Sequence, residues 1–269
     1  MPTVTVDGTV LHYFDDLPTG VEHGVVVMLH GFARNGTFWS GWLPALSAHF
    51  RVIRPDIRGC GRNPDPGPDF TYRIEDVVSD LIGLLDSLEI KGVHHVGEST
   101  GGIVGAMAAA QYPGYFRSLT LVSTPVTVMN SDPKVKSPGA SSPQESLQTL
   151  GLKQWWLQSR AMTDDLFGDD RDNTIAEEFA RTPVHVAVEM WSSMHQPRVN
   201  LQNYLAKVEV PTLVMTPTRS RTMTLADQRD LVGLLPSVRH RIYDGASHGM
   251  YYLRAEELAA DFVEFAESV

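Results

Sequence analysis

Cysteine is almost absent from this sequence: Cys60 is the only one among 269 residues. No intramolecular disulfide can form, which fits a reducing, cytoplasmic setting. Long apolar runs are lacking too. The first residues, MPTVTVDGTVLHYFDD, carry no basic start and no extended hydrophobic core, so no signal peptide or membrane span is expected. Positive charge is in deficit. The 22 Lys and Arg against 32 Asp and Glu leave a formal charge of −10. Such a surface repels phosphate backbones and anionic lipids, so neither nucleic acid nor a membrane is expected as a partner. Neither a metal-ligand spacing nor a dinucleotide fingerprint occurs, and no cofactor is inferred. Internal repeats are absent as well.

What is present is a chain able to bury a real core, 42% hydrophobic and long enough for one large α/β domain or two small ones. Alternation at Val4, Val6, Val10, His12 and Phe14 around Asp7-Gly8 predicts a hairpin. GVVVMLHG (Gly24–Gly31) reads as a strand buried on both faces. Ile74, Val77, Val78, Leu81, Leu84, Leu85 and Leu88 fall on one face of a helix over 73–90. GVHHVG, SLTLVST, PTLVM and HRIYD are further strands, each followed by a helical or loop segment. Strands alternating with helices mean an α/β fold: a mostly parallel central sheet flanked by helices. The texture changes at NSDPKVKSPGASSPQES, a Ser/Pro-rich linker, and residues 145–206 then read as helical with an acidic run at 164–172. The expected organisation is a core of 1–125 and 207–269 with a helical lid inserted over 126–206.

HHVGESTGGIVG places Gly97-Glu98-Ser99-Thr100-Gly101 between a strand and a helix. G-x-S-x-G is weak alone and specific in that context. The glycines permit a sharp turn, which lifts Ser99 above the sheet and aims the Thr100 N–H where an oxyanion would form. Glu98, beside the nucleophile, is expected to point away from it into the packing below. Earlier, LHGF offers the Phe32 N–H as a second oxyanion donor, with His30 bracing the loop. Ten histidines compete for the role of base. His94 and His95 lie in a strand and read as core, and His185 and His195 lie in the lid. His248, in the Gly-flanked loop of YDGASHGMY, follows a strand just as Ser99 does. Loops at the carboxyl ends of parallel strands converge, so His248 is the candidate base.

Taken in order, LHGF, RVIRPDIRGCGR, VGESTGG, YPGYFRSLTLVSTP, VPTLVMTPT and GASHGMY closely resemble the α/β-hydrolase superfamily over nearly the whole chain outside the lid. The likeness is greatest to its small, lid-bearing ester, lactone and carbon–carbon bond hydrolases. It implies Ser99 as nucleophile, His248 as general base, Phe32 and Thr100 as oxyanion hole, and a lid between the sixth and seventh strands.

The departure is the triad acid. Its usual place is the loop after PTLVM, which here reads TPTRSRTMT, and an alternative place holds Ser123 or Thr124. Other carboxylates are Asp227, which reads first as a capping box with Thr224, Asp244 at a strand end, and Glu189 in the lid. A Ser–His dyad assisted by Ser123, Thr124 or water is the description that remains. Arg219 and Arg221 are either solvated surface charge or a site for an anionic substrate group. Trp191, Met194, Ile103 and Met250, with Phe32 and Trp39, would wall an apolar or aromatic small-molecule pocket. The expected activity is hydrolysis of an ester or lactone. A lyase, a cofactor-free decarboxylase or oxygenase, or a ligand-binding receptor on the same scaffold are the competing readings. The sequence leaves a homodimer open.

Overall fold

Strand β3 (Val25–Leu29) is buried along four of its five residues and pairs on both edges. A strand so uniformly apolar needs cover on both faces, and the architecture supplies it. The computed structural model describes residues 2–18, 20, 24–127, 137–159, 169–196 and 199–269. Among them, β1 (Thr3–Val6), β2 (Thr9–Asp16), β3, β4 (Arg51–Pro55), β5 (Val93–Glu98), β6 (Phe116–Val122), β7 (Thr212–Pro217) and β8 (Val238–Tyr243) form one sheet. Their order is β1-β2-β4-β3-β5-β6-β7-β8. Strands β1 and β2 form the predicted hairpin, with Asp7 and Gly8 at φ 46° and 80° in its turn. Positive φ at both central residues matches the twist of the flanking strands. From β4 to β8 every pairing is parallel. The carboxyl ends of those strands therefore share one edge of the sheet, where loops can converge.

Helices cover the sheet as the periodicities require. Helix α1 (Leu43–Leu46) is a single turn; α2 (Ile74–Ser87) buries Ile74, Val77, Val78, Leu81, Leu84 and Leu85. Helix α3 (Thr100–Gln111) is buried from Thr100 to Ala109, because its Gly and Ala residues let it lie close against β5 and β6. The last helix, Ala255–Glu267, buries Leu258, Phe262 and Phe265. Phe262 meets Trp42 and Phe50 with ring centroids 6.2 and 6.0 Å apart.

Between β6 and β7 the described residues are mainly helical: Pro143–Ser159, bent at Gly151 (φ 70°), then Asp169–Phe179, Val184–Met194 and Gln202–Leu205. Residues 130–136 of the predicted linker and 164–168 of the acidic run lie outside the described residues. The helix begins inside that linker, at Pro143. Proline suits a first helical position, and the Ser142 hydroxyl accepts from the Glu145 N–H (3.1 Å). Among the described residues no helix is long and apolar enough to cross a membrane.

Candidate active site

Ser99 joins β5 to α3 at φ 52° and ψ −113°, a backbone conformation that costs a non-glycine residue about 1–3 kcal/mol. Neighbouring bonds hold it there. The Ser99 N–H donates to the Val122 carbonyl (3.0 Å), and the N–H groups of Gly102 and Ile103 donate to the Ser99 carbonyl (3.0 and 3.1 Å). The turn needs its glycines for space. A Cβ on Gly97 would overlap the Gly101 carbonyl, and one on Gly101 the Leu29 carbonyl. Ser99 itself is half-buried, so its hydroxyl is reachable in an otherwise closed region. Thr100 opens α3, where an N–H has no intrahelical acceptor.

The loop carrying Phe32 follows β3 and is fixed from below. The Ile57 N–H donates to His30 Nε2 (2.9 Å), while His30 Nδ1 lies 2.8 Å from the Gly31 carbonyl. Asp56 accepts from the Gly36 N–H (2.7 Å) and the Arg62 N–H (2.8 Å) and lies 3.0 Å from His12 Nδ1. His94 and His95 are buried in β5: His94 Nδ1 lies 2.8 Å from Ser118 Oγ, and His95 Nε2 lies 3.2 Å from the Gly101 carbonyl. Burial lowers all three of His30, His94 and His95 to about 4, so they stay neutral near pH 7.

His248 is 2% exposed, in the loop after β8. Its Nδ1 lies 2.7 Å from Thr222 Oγ1 and 3.3 Å from Ser220 Oγ. In a Ser-His-Asp triad a carboxylate orients that nitrogen. Here two hydroxyls do, and both come from TPTRSRTMT. Along that loop Arg219 and Arg221 are exposed while Thr222 is buried and Ser220 half-buried. The alternation sends the arginines out and the hydroxyls in. Sequence reasoning singled out the arginines and missed Ser220 and Thr222. The out-in alternation of Arg-Ser-Arg-Thr was the available signal.

Of the other carboxylates considered, Asp227 and Asp244 are engaged elsewhere. Asp227 forms the capping box of the Leu225–Gly233 helix: its N–H donates to Thr224 Oγ1 (3.1 Å) and its Oδ2 accepts from the Thr224 N–H (2.9 Å). Asp244 is exposed and accepts from Thr218 Oγ1 (3.1 Å) in a turn. Glu189 lies half-buried on the Val184–Met194 helix. Ser123, buried at φ 48°, has no hydrogen-bond partner for its Oγ among the described residues.

Glu98 lies in the packing below the turn, and there it also reaches His248. It is fully buried, pairs with the equally buried Arg34 through Oε2, and its Oε1 lies 3.3 Å from His248 Nε2. Arg34, a fully buried guanidinium in the loop after β3, holds the Oε2 end of the carboxylate. Burial pushes the Glu98 carboxyl up to about 7, against the pull of Arg34 and of the Gly31 backbone. Removing one member of such a buried pair costs about 3–5 kcal/mol.

The inserted helices cover this edge. Thr100 Oγ1 donates to Met194 Sδ (2.9 Å), and Cys60 Sγ lies 3.5 Å from Met190 Sδ. The Thr182 hydroxyl donates to the Ala33 carbonyl (3.2 Å). The Phe32 ring packs on Trp191, Trp155 and Phe179 at 5.5, 5.9 and 6.2 Å. Trp191, Met194, Ile103 and Met250 are all buried. A cavity of about 430 Å³ is lined by Thr37, Phe38, Thr174, Ile175, Glu178 and Tyr252, none of them a candidate site residue.

Residues 24–255 match the model of the alpha/beta hydrolase fold. The chain belongs to the α/β-hydrolase family. Its β5–Ser99–α3 turn and eight-stranded sheet are that family's architecture here. It is 27% identical to the enol-lactonase from Burkholderia xenovorans LB400, with a TM-score of 0.83 over 98% of this chain and 99% of that one. It is 39% identical over 100 residues to a 2-hydroxy-6-oxo-2,4-heptadienoate hydrolase of Pseudomonas putida, a match spanning 36% of each chain. It is also 27% identical to the Karrikin insensitive 2 receptor B of Petunia hybrida, over 71% of each.

Proposed function

We propose that this α/β-hydrolase-family protein is a serine-dependent hydrolase of an apolar or aromatic ester or lactone. The observation that carries the reading is the strained Ser99 at the head of α3, on the same sheet edge as a His248 whose Nδ1 is held by Thr222 Oγ1 at 2.7 Å. If Nδ1 carries the proton and donates to that hydroxyl, the Nε2 lone pair is free to act as base. Ser99 Oγ then attacks the acyl carbon while its proton moves to Nε2. The carbonyl electrons move onto oxygen, which then accepts hydrogen bonds from the N–H groups of Phe32 and Thr100. Collapse expels the leaving oxygen, which takes the Nε2 proton. Water repeats the sequence and frees Ser99.

A hydroxyl orients the imidazole but carries no charge to stabilise the imidazolium. Loss of the acid in a serine protease lowers turnover by about 10⁴-fold. Substrates with good leaving groups demand least of the base, so activated esters and enol-type lactones suit this site best, and the similarity to an enol-lactonase supports that choice. The aromatic residues around Phe32 favour an apolar acyl or aryl group. Arg219 would meet an anionic substituent only at the outer rim.

The test is labelling with a fluorophosphonate probe, with Ser99→Ala and His248→Ala as controls, followed by a stopped-flow burst with p-nitrophenyl butyrate. Ser99-dependent labelling and a burst are expected. An unlabelled wild-type protein sinks this reading. It would favour the receptor alternative, for which a hydroxyl in place of the acid and the likeness to a receptor both speak.

A further inference from the structure

Glu98 Oε1 is a buried carboxylate oxygen with no hydrogen-bond partner among the described residues. A buried polar atom left in that state calls for an explanation. Its fellow oxygen, Oε2, is held by Arg34, so the carboxylate cannot rotate to relieve it. The closest candidate is His248 Nε2 at 3.3 Å, within ion-pair distance but not aligned as a hydrogen bond. With the ring's one proton on Nδ1, as the reading above has it, that nitrogen presents a lone pair, and a lone pair gives a carboxylate nothing. Once Nε2 carries the Ser99 proton, the ring becomes a cation with an N–H beside Oε1.

We propose that Glu98 is the carboxylate of this site: it acts through His248 from the Nε2 side, stabilising the imidazolium that forms as Ser99 attacks, while Thr222 sets the tautomer from the Nδ1 side. This rests on the serine-hydrolase reading above. The contact improves only when the ring is charged, so it lowers the barrier rather than tightening substrate binding. Glu98 is a positioning and electrostatic group and gains or loses no proton in the step. The proton runs from Ser99 Oγ to Nε2 and on to the leaving oxygen.

Charged and titratable groups face Glu98 from three elements. Arg34 comes from the loop after β3, His248 from the loop after β8, and Tyr251 from the Met250–Leu253 helix, its ring 5.4 Å from the Arg34 guanidinium. Arg34 keeps the carboxylate in place and offsets part of its charge. Burial raises the Glu98 carboxyl to about 7, so its ionised fraction grows across neutral pH.

The experiment compares wild type with Glu98→Gln in two ways. NMR follows the His248 ring titration with no substrate present, and steady-state kinetics follow p-nitrophenyl butyrate. The ring is expected to titrate at lower pH in the variant. Turnover is expected to fall roughly ten- to a hundredfold, the range for losing a charged hydrogen bond, with KM nearly unchanged. In wild type kcat should rise with pH as Glu98 ionises near 7, and that component should be missing in the variant. In a Thr222→Asp background, where an acid stands at Nδ1, the same substitution should cost far less. If Glu98→Gln fails to fold, the neutral pair Arg34→Gln/Glu98→Gln gives the same readings without a stranded guanidinium. Superposable ring titrations, or equal turnover in a folded variant, overturn the proposal. Absence of Ser99 labelling in wild type would instead sink the hydrolase reading, and the ring titration would still decide whether Glu98 and His248 are coupled.

Discussion

Thr222 Oγ1 lies 2.7 Å from His248 Nδ1, the position at which a triad acid would sit. The geometry predicts opposite effects for two substitutions. Thr222→Val removes the hydrogen bond that fixes the tautomer and should lower kcat on p-nitrophenyl butyrate by about tenfold. Thr222→Asp supplies the missing charge and should raise kcat, by at most about 10⁴-fold and by less if Glu98 already provides part of the effect. A drop in both variants would mean that Thr222 serves packing alone.

The fold was largely legible because it rests on local periodicity. The Asp7-Gly8 hairpin, the helical face from Ile74 to Leu85 and the strand–Ser99–helix turn each declare themselves within a few residues. The candidate pair Ser99 and His248 could be singled out for the same reason: both stand in short motifs with Gly on either side. The rest depends on side-chain direction across the sheet edge. Nothing near Glu98 in sequence says that Arg34, 64 positions earlier, will meet it. Thr222 is an ordinary loop residue until the chain turns the flanking arginines outward. Sequence reasoning looked for a carboxylate by type, and a hydroxyl took the place.

Asp227 tests whether proximity in sequence to that loop means catalysis. Both halves of its capping box with Thr224 are formed, at 3.1 and 2.9 Å. Asp227→Asn should lower stability by about 1 kcal/mol, roughly 2–4 °C in Tm for a domain of this size. Turnover of p-nitrophenyl butyrate should stay at the wild-type level. A large fall in kcat with unchanged Tm would restore Asp227 as an acid.

The aromatic layer over the elbow predicts substrate preference. Trp191 packs on Phe32 at 5.5 Å, and Met194 Sδ accepts from Thr100 Oγ1 at 2.9 Å, so both bring the Val184–Met194 helix against the residues on either side of the proposed site. Trp191→Ala should lower kcat/KM for 1-naphthyl acetate by about tenfold, the scale of losing one apolar contact surface in a pocket. It should change vinyl acetate hydrolysis much less. Equal losses on both esters would show that Trp191 supports the helix rather than the substrate.

Acid stability follows from the buried titratable groups, with two opposing signs. His30, His94 and His95 are lowered from 6.5 to about 4 by burial. The unfolded chain protonates them first, so their contribution to stability is present above 6.5 and lost as pH falls toward 4. Glu98 is raised from 4.5 to about 7, so the folded chain protonates it first. Its contribution is present below 4.5 and lost as pH rises through 7. Between 4.5 and 6.5 these four groups overlap, and folding releases about three protons while taking up about one. Tm should therefore rise with pH across that interval. Glu98→Gln removes the opposing uptake, so the rise should become roughly half again as steep, three protons against two. Thermal unfolding followed by circular dichroism at half-unit pH steps measures both slopes. Parallel slopes in the two proteins would mean that Glu98 stays ionised throughout, held by Arg34.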